Sequence, residues 1–191
     1  MSTNAIIQGS LSAVAQQSGQ SIAESFLAAD TVCLVDVSGS MDSVDSRGGQ
    51  KRYLVACQEL AQLQQTLPGK IAVIAFSNFP QFCPAGIPLY QGGGTDLSAA
   101  LEFVKIADGT VNFVVISDGE PNDPKGCLRV AKSFKSRIDC IFIGPEDDVY
   151  GGSQFLRKLA AASGGQYAVA AKARELANTV QTMMLGTATT T

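Results

Sequence analysis

Four short, nearly continuous apolar runs alternate with longer amphipathic segments along the chain. Strands that are buried on both faces of a sheet require such runs, and they lie at residues 31–37, 70–76, 111–117 and 138–143. Helical spacing of apolar residues marks the segments between and after them, at residues 50–66, 96–107, 124–136 and 153–162. Alternation of this kind predicts a doubly wound α/β fold, with a mostly parallel sheet and helices on both faces.

One further segment interrupts the alternation. Residues 79–83 follow the second apolar run too closely for a crossover helix to intervene, and Pro80 and Pro84 bracket their core. Proline is tolerated at sheet edges, where its missing N–H is not needed by a neighbouring strand. The segment therefore predicts one short antiparallel edge strand.

The two ends of the chain complete the predicted organisation. Residues 5–28 carry apolar side chains at roughly helical spacing, with Gly19 as a weak point, so residues 1–28 are interpreted as an amphipathic helical extension. No basic residue precedes Arg47, which favours packing on the domain or contact with a partner over binding to a membrane surface. A weak strand at 166–170 and a helix at 172–185 would complete a domain over residues 29–185, followed by a flexible tail at 186–191.

The composition of the chain argues against several classes of function. The 14 basic residues are scattered among 17 acidic ones, for a net charge of −3, so nucleic acid is a poor candidate partner. The chain has no histidine, which excludes Ser-His-Asp and Cys-His catalysis and zinc sites that use imidazole. Its five cysteines form no C-x-x-C pair and are interpreted as reduced core thiols, as expected in a reducing compartment. Without a secretory signal or a stretch of about 20 apolar residues, we expect a soluble cytoplasmic protein.

Oxygen-bearing side chains follow the predicted strands at the point where each strand ends. The first run leads into Asp36-Val37-Ser38-Gly39-Ser40, Gly92–Gly94 lead into Thr95, and the third long run leads into Ser117-Asp118. In open α/β sheets, ligands bind at the carboxyl ends of the strands. These loops supply oxygen and no nitrogen or sulfur, which a hard cation such as Mg²⁺ prefers.

The five residues Asp36, Ser38, Ser40, Thr95 and Asp118 resemble the metal-ion-dependent adhesion site of von Willebrand factor A domains, with D-x-S-x-S in one loop, Thr in a second and Asp in a third. The resemblance covers about residues 30–185. It implies a Rossmann-like fold and one divalent ion, Mg²⁺ with Mn²⁺ or Ca²⁺ as alternatives. It further implies that Ser38 and Ser40 bind the ion directly, Asp36 and Asp118 largely through water, and Thr95 in either way.

What such a site binds is also implied by the resemblance. A partner protein would supply an Asp or Glu carboxylate as the last ligand of the ion, so the chain would bind and not catalyse. The stand-alone intracellular members of the family, from bacteria, archaea and their viruses, suggest an adaptor for a MoxR-type AAA+ ATPase or a subunit of an assembly. The alternative is a structural subunit of a large homo-oligomer, with the ion at the interface between identical copies.

Three other interpretations of the same residues have less support. Asp and Ser after a strand commonly cap helices, and Asp-Gly commonly forms turns, so the motif could be purely structural. A haloacid-dehalogenase-like phosphatase would use Asp36 as nucleophile, but it would need a second carboxylate where the chain has Ser38. A nucleotide site is disfavoured, because no G-x-x-x-x-G-K-[ST] sequence is present.

Overall fold

The computed structural model describes residues 6–46, 49–119, 121–145 and 151–169. Six strands lie within them: β1 (Thr31–Asp36), β2 (Ile71–Phe76), β3 (Pro80–Phe82), β4 (Asn112–Ser117), β5 (Ile138–Phe142) and β6 (Tyr167–Val169). They form one sheet in the order β3-β2-β1-β4-β5-β6. β3 pairs antiparallel with β2, and the other four pairings are parallel. The predicted α/β class and the antiparallel edge strand are confirmed.

Helices cover both faces of the sheet. Those described are α1 (Leu11–Ser18), α2 (Ile22–Leu27), α3 (Arg52–Thr66), α4 (Leu97–Val104), α5 (Pro124–Ala131) and α6 (Gly152–Ser163), with 3-10 turns at Gly39–Asp42 and Lys105–Ala107. Successive side chains of β1 point to opposite faces. Cys33 and Val35 lie in the hydrophobic cluster that contains α3, whereas Leu34 lies in the cluster that contains α4, α5 and α6. The carboxyl end of the buried β1 therefore lies near the middle of the sheet, between the two helical layers.

Helix lengths differ from the sequence prediction at two places. The segment 96–107 is α-helical only to Val104 and then tightens into a 3-10 turn, and the segment 124–136 ends as a helix at Ala131. Phe134 explains the second difference, because it continues the apolar spacing and is buried in the core, although it lies in the turn after α5. The predicted helix at 172–185 and the tail at 186–191 lie outside the described residues.

The single helix predicted over residues 5–28 is wrong, because the segment forms two helices. Gly19 adopts the left-handed conformation, φ 71°, and ends α1, as glycine does at many helix ends. Ser21 then starts α2 with a capping box, in which its hydroxyl accepts from the Glu24 N–H and the Glu24 carboxylate accepts from the Ser21 N–H. Amphipathic spacing alone could not reveal the break, but the S-x-x-E sequence at Ser21 could have.

Backbone hydrogen bonds join the N-terminal segment to the loops beneath it. The Ile7 N–H donates to the Ala85 carbonyl over 3.0 Å, and the Gly69 N–H donates to the Gly9 carbonyl over 2.9 Å. Leu11 of α1 is buried in the core. α2 and α4 border an apolar groove of about 810 Å³ beside β3. The first helices are therefore packed on the sheet domain.

The cysteine side chains are free thiols, and most of them are buried. All five cysteines are free, and four of them are buried; burial raises the pKa of Cys33 to about 12, so this thiol stays protonated and packs as an apolar side chain. In the part of the chain that the structure describes, we find no helix with the length and apolarity that crossing a membrane requires.

Candidate metal site

Asp36 is the last residue of β1 and lies at the centre of the candidate site. Its side chain is fully buried. One carboxylate oxygen, Oδ1, accepts a hydrogen bond from the Ser38 N–H over 2.8 Å. The other, Oδ2, accepts from the Ser117 hydroxyl, at the end of β4, over 2.6 Å. Both carboxylate oxygens of Asp36 therefore accept hydrogen bonds from groups at or just after the ends of two neighbouring strands, β1 and β4.

The electrostatic surroundings of Asp36 favour a cation. Burial raises its pKa to about 6, and the nearby negative charge of Asp118 adds to the rise, while the hydrogen bonds from Ser117 and Ser38 lower it. Among the described residues, no lysine or arginine forms an ion pair with this carboxylate. A buried carboxylate without a cationic partner is unfavourable. A bound cation would remove that penalty.

Ser38, Ser40 and Asp118 form a hydrogen-bonded cluster around the same point. The Ser40 hydroxyl donates to Asp118 Oδ1 over 2.8 Å, and the hydroxyl oxygens of Ser38 and Ser40 lie 3.3 Å apart. Asp118 follows β4 directly and its side chain is buried, whereas Ser40 is exposed at the surface. The first and third predicted loops therefore meet, and Ser40 marks the side of the cluster that faces solvent, whereas Ser38 is buried.

The second predicted loop is held against both others by hydrogen bonds of its backbone, one of them to the Asn122 side chain. The Gly39 N–H donates to the Gly93 carbonyl over 3.0 Å. The Thr95 N–H donates to Asn122 Oδ1 over 3.1 Å, and the Asn122 N–H donates back to the Thr95 carbonyl over 3.0 Å. Thr95 is half-buried between the loops. Of the five predicted ligands, four share one hydrogen-bonded cluster, and Thr95 is joined to it through the loop backbones.

Glycine is required in the second loop by a close approach. Gly93 has φ 79°, and a Cβ there would lie 2.6 Å from Asn78 Nδ2. Asn78 in turn accepts from the Gly94 N–H over 2.9 Å. The run Gly92–Gly94 therefore lets this loop pack against the Asn78 side chain and contact the first loop at Gly39.

Arg52 also belongs to the site, although the sequence motif does not include it. Its guanidinium Nη1 lies 2.6 Å from Asp118 Oδ2, and its Nε lies 2.6 Å from Asp45 Oδ1, with Nη2 pairing to the second oxygen of Asp45. These contacts raise the pKa of Arg52 and lower that of Asp45. The available signal was its position: Arg52 is the first residue of α3, where the helix dipole disfavours a positive charge.

Other acidic residues near these loops have separate partners. Asp42 pairs with Lys51 at the surface. Asp123 caps α5, where its carboxylate accepts from the Gly126 N–H over 2.9 Å. These two side chains are therefore bound outside the cluster.

The donor set fits a hard divalent cation better than a soft one. Two carboxylates and two hydroxyls meet, and Thr95 adds a third hydroxyl on the adjoining loop. No group of three or more His, Cys, Asp or Glu side chains that could hold a metal lies within the described ranges. Such a site offers little negative charge of its own, so an ion bound there would leave coordination positions for water or another ligand.

Comparisons with known proteins support the fold. No family model and no curated protein matches the sequence. A solved variant of an aerotolerance-related membrane protein from Bacteroides fragilis superimposes with a TM-score of 0.64 at 15% identity, covering 83% of this chain and 99% of that one. A von Willebrand factor type A protein from Catenulispora acidiphila gives 0.58 at 20% identity, covering 81% and 41%. Manganese-loaded TRAP protein from Plasmodium vivax gives 0.56 at 17%, covering 83% and 74%.

At these identities the similarity concerns the fold alone. The chain has the α/β fold of von Willebrand factor A domains, with a six-stranded, mostly parallel sheet and an antiparallel edge strand. In this fold, the cluster of Asp36, Ser38, Ser40 and Asp118 lies at the carboxyl ends of β1 and β4. This is where open α/β sheets bind ligands.

Proposed function

We propose that this protein is a metal-dependent protein-interaction module. In this proposal Asp36, Ser38, Ser40, Thr95 and Asp118 hold one divalent cation, Mg²⁺ or in its place Mn²⁺ or Ca²⁺, and a partner protein supplies an Asp or Glu carboxylate. The partner would be an assembly subunit or an ATPase for which the chain acts as a cytoplasmic adaptor. One of the similar structures is described as manganese-loaded, which supports a divalent ion for this fold.

One observation carries the proposal. Asp36 is buried without a cationic partner among the described residues, beside a second buried carboxylate, Asp118, and two serine hydroxyls, of which Ser38 is buried and Ser40 is exposed. A purely structural role as helix cap or turn would explain the hydrogen bond from the Ser38 N–H, but not the burial of Asp36 beside a second carboxylate. The arrangement is better suited to compensating a positive charge.

Each residue has a distinct task in this scheme. Ser117 and the Ser38 N–H fix the orientation of the Asp36 carboxylate, and Ser40 and Arg52 fix that of Asp118. A bound divalent cation would supply an electrophilic centre for the oxygen of an incoming carboxylate. The hydroxyls of Ser38 and Ser40 bind without adding negative charge, so an acidic partner meets little repulsion from the site itself.

Exposed apolar side chains beside the second loop support a protein as the partner. Phe79 is 62% exposed and follows Asn78, which holds that loop, and Leu89 and Tyr90 lie just before it with 59% and 41% exposure. Neighbouring aromatic and aliphatic side chains of this kind are common in protein interfaces. The partner acid would therefore be flanked by apolar residues.

A binding role is preferred to phosphatase-like catalysis on accessibility. A nucleophilic Asp36 would have to reach a substrate phosphorus, but its side chain is fully buried and both oxygens accept hydrogen bonds. Ser38 occupies the position where such an enzyme needs a second carboxylate. We therefore propose that the chain binds and does not catalyse.

Isothermal titration of chelator-stripped protein with MgCl₂ and MnCl₂ tests the site. We expect saturable one-to-one binding that is lost in Asp36→Ala and in Asp118→Ala. Asp42→Ala is the matched control, since Asp42 lies in the same loop region but pairs with Lys51 at the surface. Equal binding by all three variants, or none by the wild type, would reject the proposal.

The identity of the partner needs a second measurement. Light scattering during size exclusion, with Mg²⁺ or with chelator, measures whether the ion joins copies of this chain. A mass that doubles or more in Mg²⁺ and returns to that of one chain in the chelator would favour the homo-oligomer, whereas a constant mass would favour a different protein.

A further inference from the structure

Arg52 lies between two carboxylates with its side chain only 8% exposed. Asp118, on one side, is fully buried, and Asp45, on the other, is 39% exposed. The two carboxylate oxygens of Asp118 have different hydrogen-bond donors: Oδ2 accepts from Arg52, and Oδ1 accepts from the Ser40 hydroxyl. A predicted ligand of the ion is thus already paired with a cation that belongs to the protein.

A structural role alone does not explain this arrangement well. Arg52 opens α3, where a positive charge opposes the helix dipole. Burying a guanidinium between carboxylates is often no more stable than apolar packing of the same volume. The remaining effect of the contact is electrostatic, because the positive charge of the guanidinium offsets part of the negative charge of Asp118.

We propose that Arg52 is the residue that sets how tightly the site holds its ion. This inference rests on the proposed function. The guanidinium withdraws part of the negative charge of Asp118 from the ion and repels the ion directly, so the free protein binds it weakly. The ion then remains more electrophilic, and a partner carboxylate contributes a larger share of the binding free energy of the complete site.

Asp45 provides a second test of the proposal, in which the expected change in metal affinity has the opposite sign. Its carboxylate shares Arg52 with Asp118 and offsets part of the positive charge. Without the Asp45 charge, more of the Arg52 charge acts on Asp118 and on the ion. Removing Arg52 and neutralising Asp45 should therefore shift the metal affinity in opposite directions, although both changes break the same ion pair.

The test is a titration of chelator-stripped protein with MnCl₂, in wild type, Arg52→Gln, Arg52→Lys and Asp45→Asn, with Asp42→Asn as the control. Loss of one unit charge next to a divalent ion is worth about tenfold in affinity even at a water-like dielectric. We expect Arg52→Gln to bind Mn²⁺ about tenfold more tightly, Asp45→Asn to bind more weakly, and Arg52→Lys and Asp42→Asn to stay near the wild type.

Melting temperatures of the same proteins supply a readout that a merely structural Arg52 would not move in the same way. In chelator, Arg52→Gln leaves Asp118 buried without a cation, so its melting temperature should fall. Saturating Mn²⁺ would replace the missing charge, and the difference from wild type should shrink. A difference that is equal in chelator and in Mn²⁺ would overturn the proposal.

The remaining outcomes separate this inference from the proposed function. If the wild type binds Mn²⁺ and Arg52→Gln binds no more tightly, the inference is wrong and the metal site stands. If Arg52→Gln does not fold, Asp45→Asn still decides, because unchanged or tighter binding there would refute the charge argument. If no variant binds Mn²⁺, the proposed function fails and the inference fails with it.

Discussion

The Ser117 hydroxyl donates a hydrogen bond to Asp36 Oδ2 over 2.6 Å, across 81 residues of sequence. The two residues end neighbouring parallel strands, β4 and β1. Ser117 Oγ also accepts from the Gly119 N–H over 3.3 Å. One buried hydroxyl therefore orients the Asp36 carboxylate and ties the start of the third loop to it.

Ser117→Ala should weaken metal binding and stability together. The change leaves one oxygen of a buried carboxylate without its donor, so we expect a loss of about 1–3 kcal/mol in the free energy of unfolding. Loss of a group that orients a metal ligand typically lowers metal affinity by about 10- to 100-fold. Urea unfolding and titration with MnCl₂ measure the two effects.

Ser77→Ala is the matched control for that change. Ser77 is a buried serine directly after β2, but its hydroxyl donates to Gln91 Oε1 over 2.7 Å. Its removal should lower stability without changing the affinity for Mn²⁺. Equal loss of metal affinity in both variants would show that Ser117 acts through general loosening of the strand ends.

The raised pKa of Asp36 predicts a pH dependence in the metal-free protein. Its folded pKa of about 6 lies above the ordinary value of 3.8, so the folded state binds this proton more tightly than the unfolded state does. The resulting stabilisation is complete below pH 3.8 and is lost as pH rises through about 6. In chelator, we therefore expect this contribution to fall between these values.

Asp36→Asn isolates that contribution. The amide can accept from the Ser38 N–H and donate to Ser117 Oγ, so it preserves both contacts without charge. In chelator above pH 6, the variant should melt at a higher temperature than the wild type, and the difference should vanish near pH 4. A variant that is less stable at every pH would show that the carboxylate is not a source of electrostatic strain.

Thr95→Val tests the one predicted ligand that is joined to the cluster through its backbone. Valine keeps the shape and the backbone contacts with Asn122 but removes the hydroxyl. We expect stability in chelator to change little and the affinity for Mn²⁺ to fall. If Thr95 closes onto the ion when a carboxylate binds, added acetate should increase Mn²⁺ affinity in the wild type more than in the variant; equal increases would count against this role.

The fold and most of the site could be predicted because both depend on local patterns. Strands buried on both faces need unbroken apolar runs, so the runs at residues 31–37 and 138–143 predict β1 and β5 to within one residue. Residues that directly follow neighbouring parallel strands meet at one edge of the sheet. The sequence alone therefore predicts that Asp36 and Asp118 lie close together.

What could not be predicted depends on contacts between distant residues. Arg52 contacts Asp118 across 66 positions, and no local pattern shows which carboxylate a lone arginine will find. The predicted helix at residues 124–136 is too long because of Phe134, since burial in a turn gives the same apolar spacing as burial on a helix. The break in the N-terminal helix was local, but it lay in the capping residues and not in the apolar spacing.

Gly9 and Gly19 offer a matched test of how closely the N-terminal segment packs. Both have positive φ, 84° and 71°, so alanine is strained at either position by about 1–2 kcal/mol. A Cβ at Gly19 would meet nothing within 4 Å, whereas one at Gly9 would lie 2.0 Å from the Gln64 carbonyl oxygen of α3. Gly9→Ala should therefore lower the free energy of unfolding clearly more than Gly19→Ala, because the segment must move away from α3. Urea unfolding measures both losses, and equal losses would mean that residues 6–18 can detach from the sheet domain without consequence for its stability.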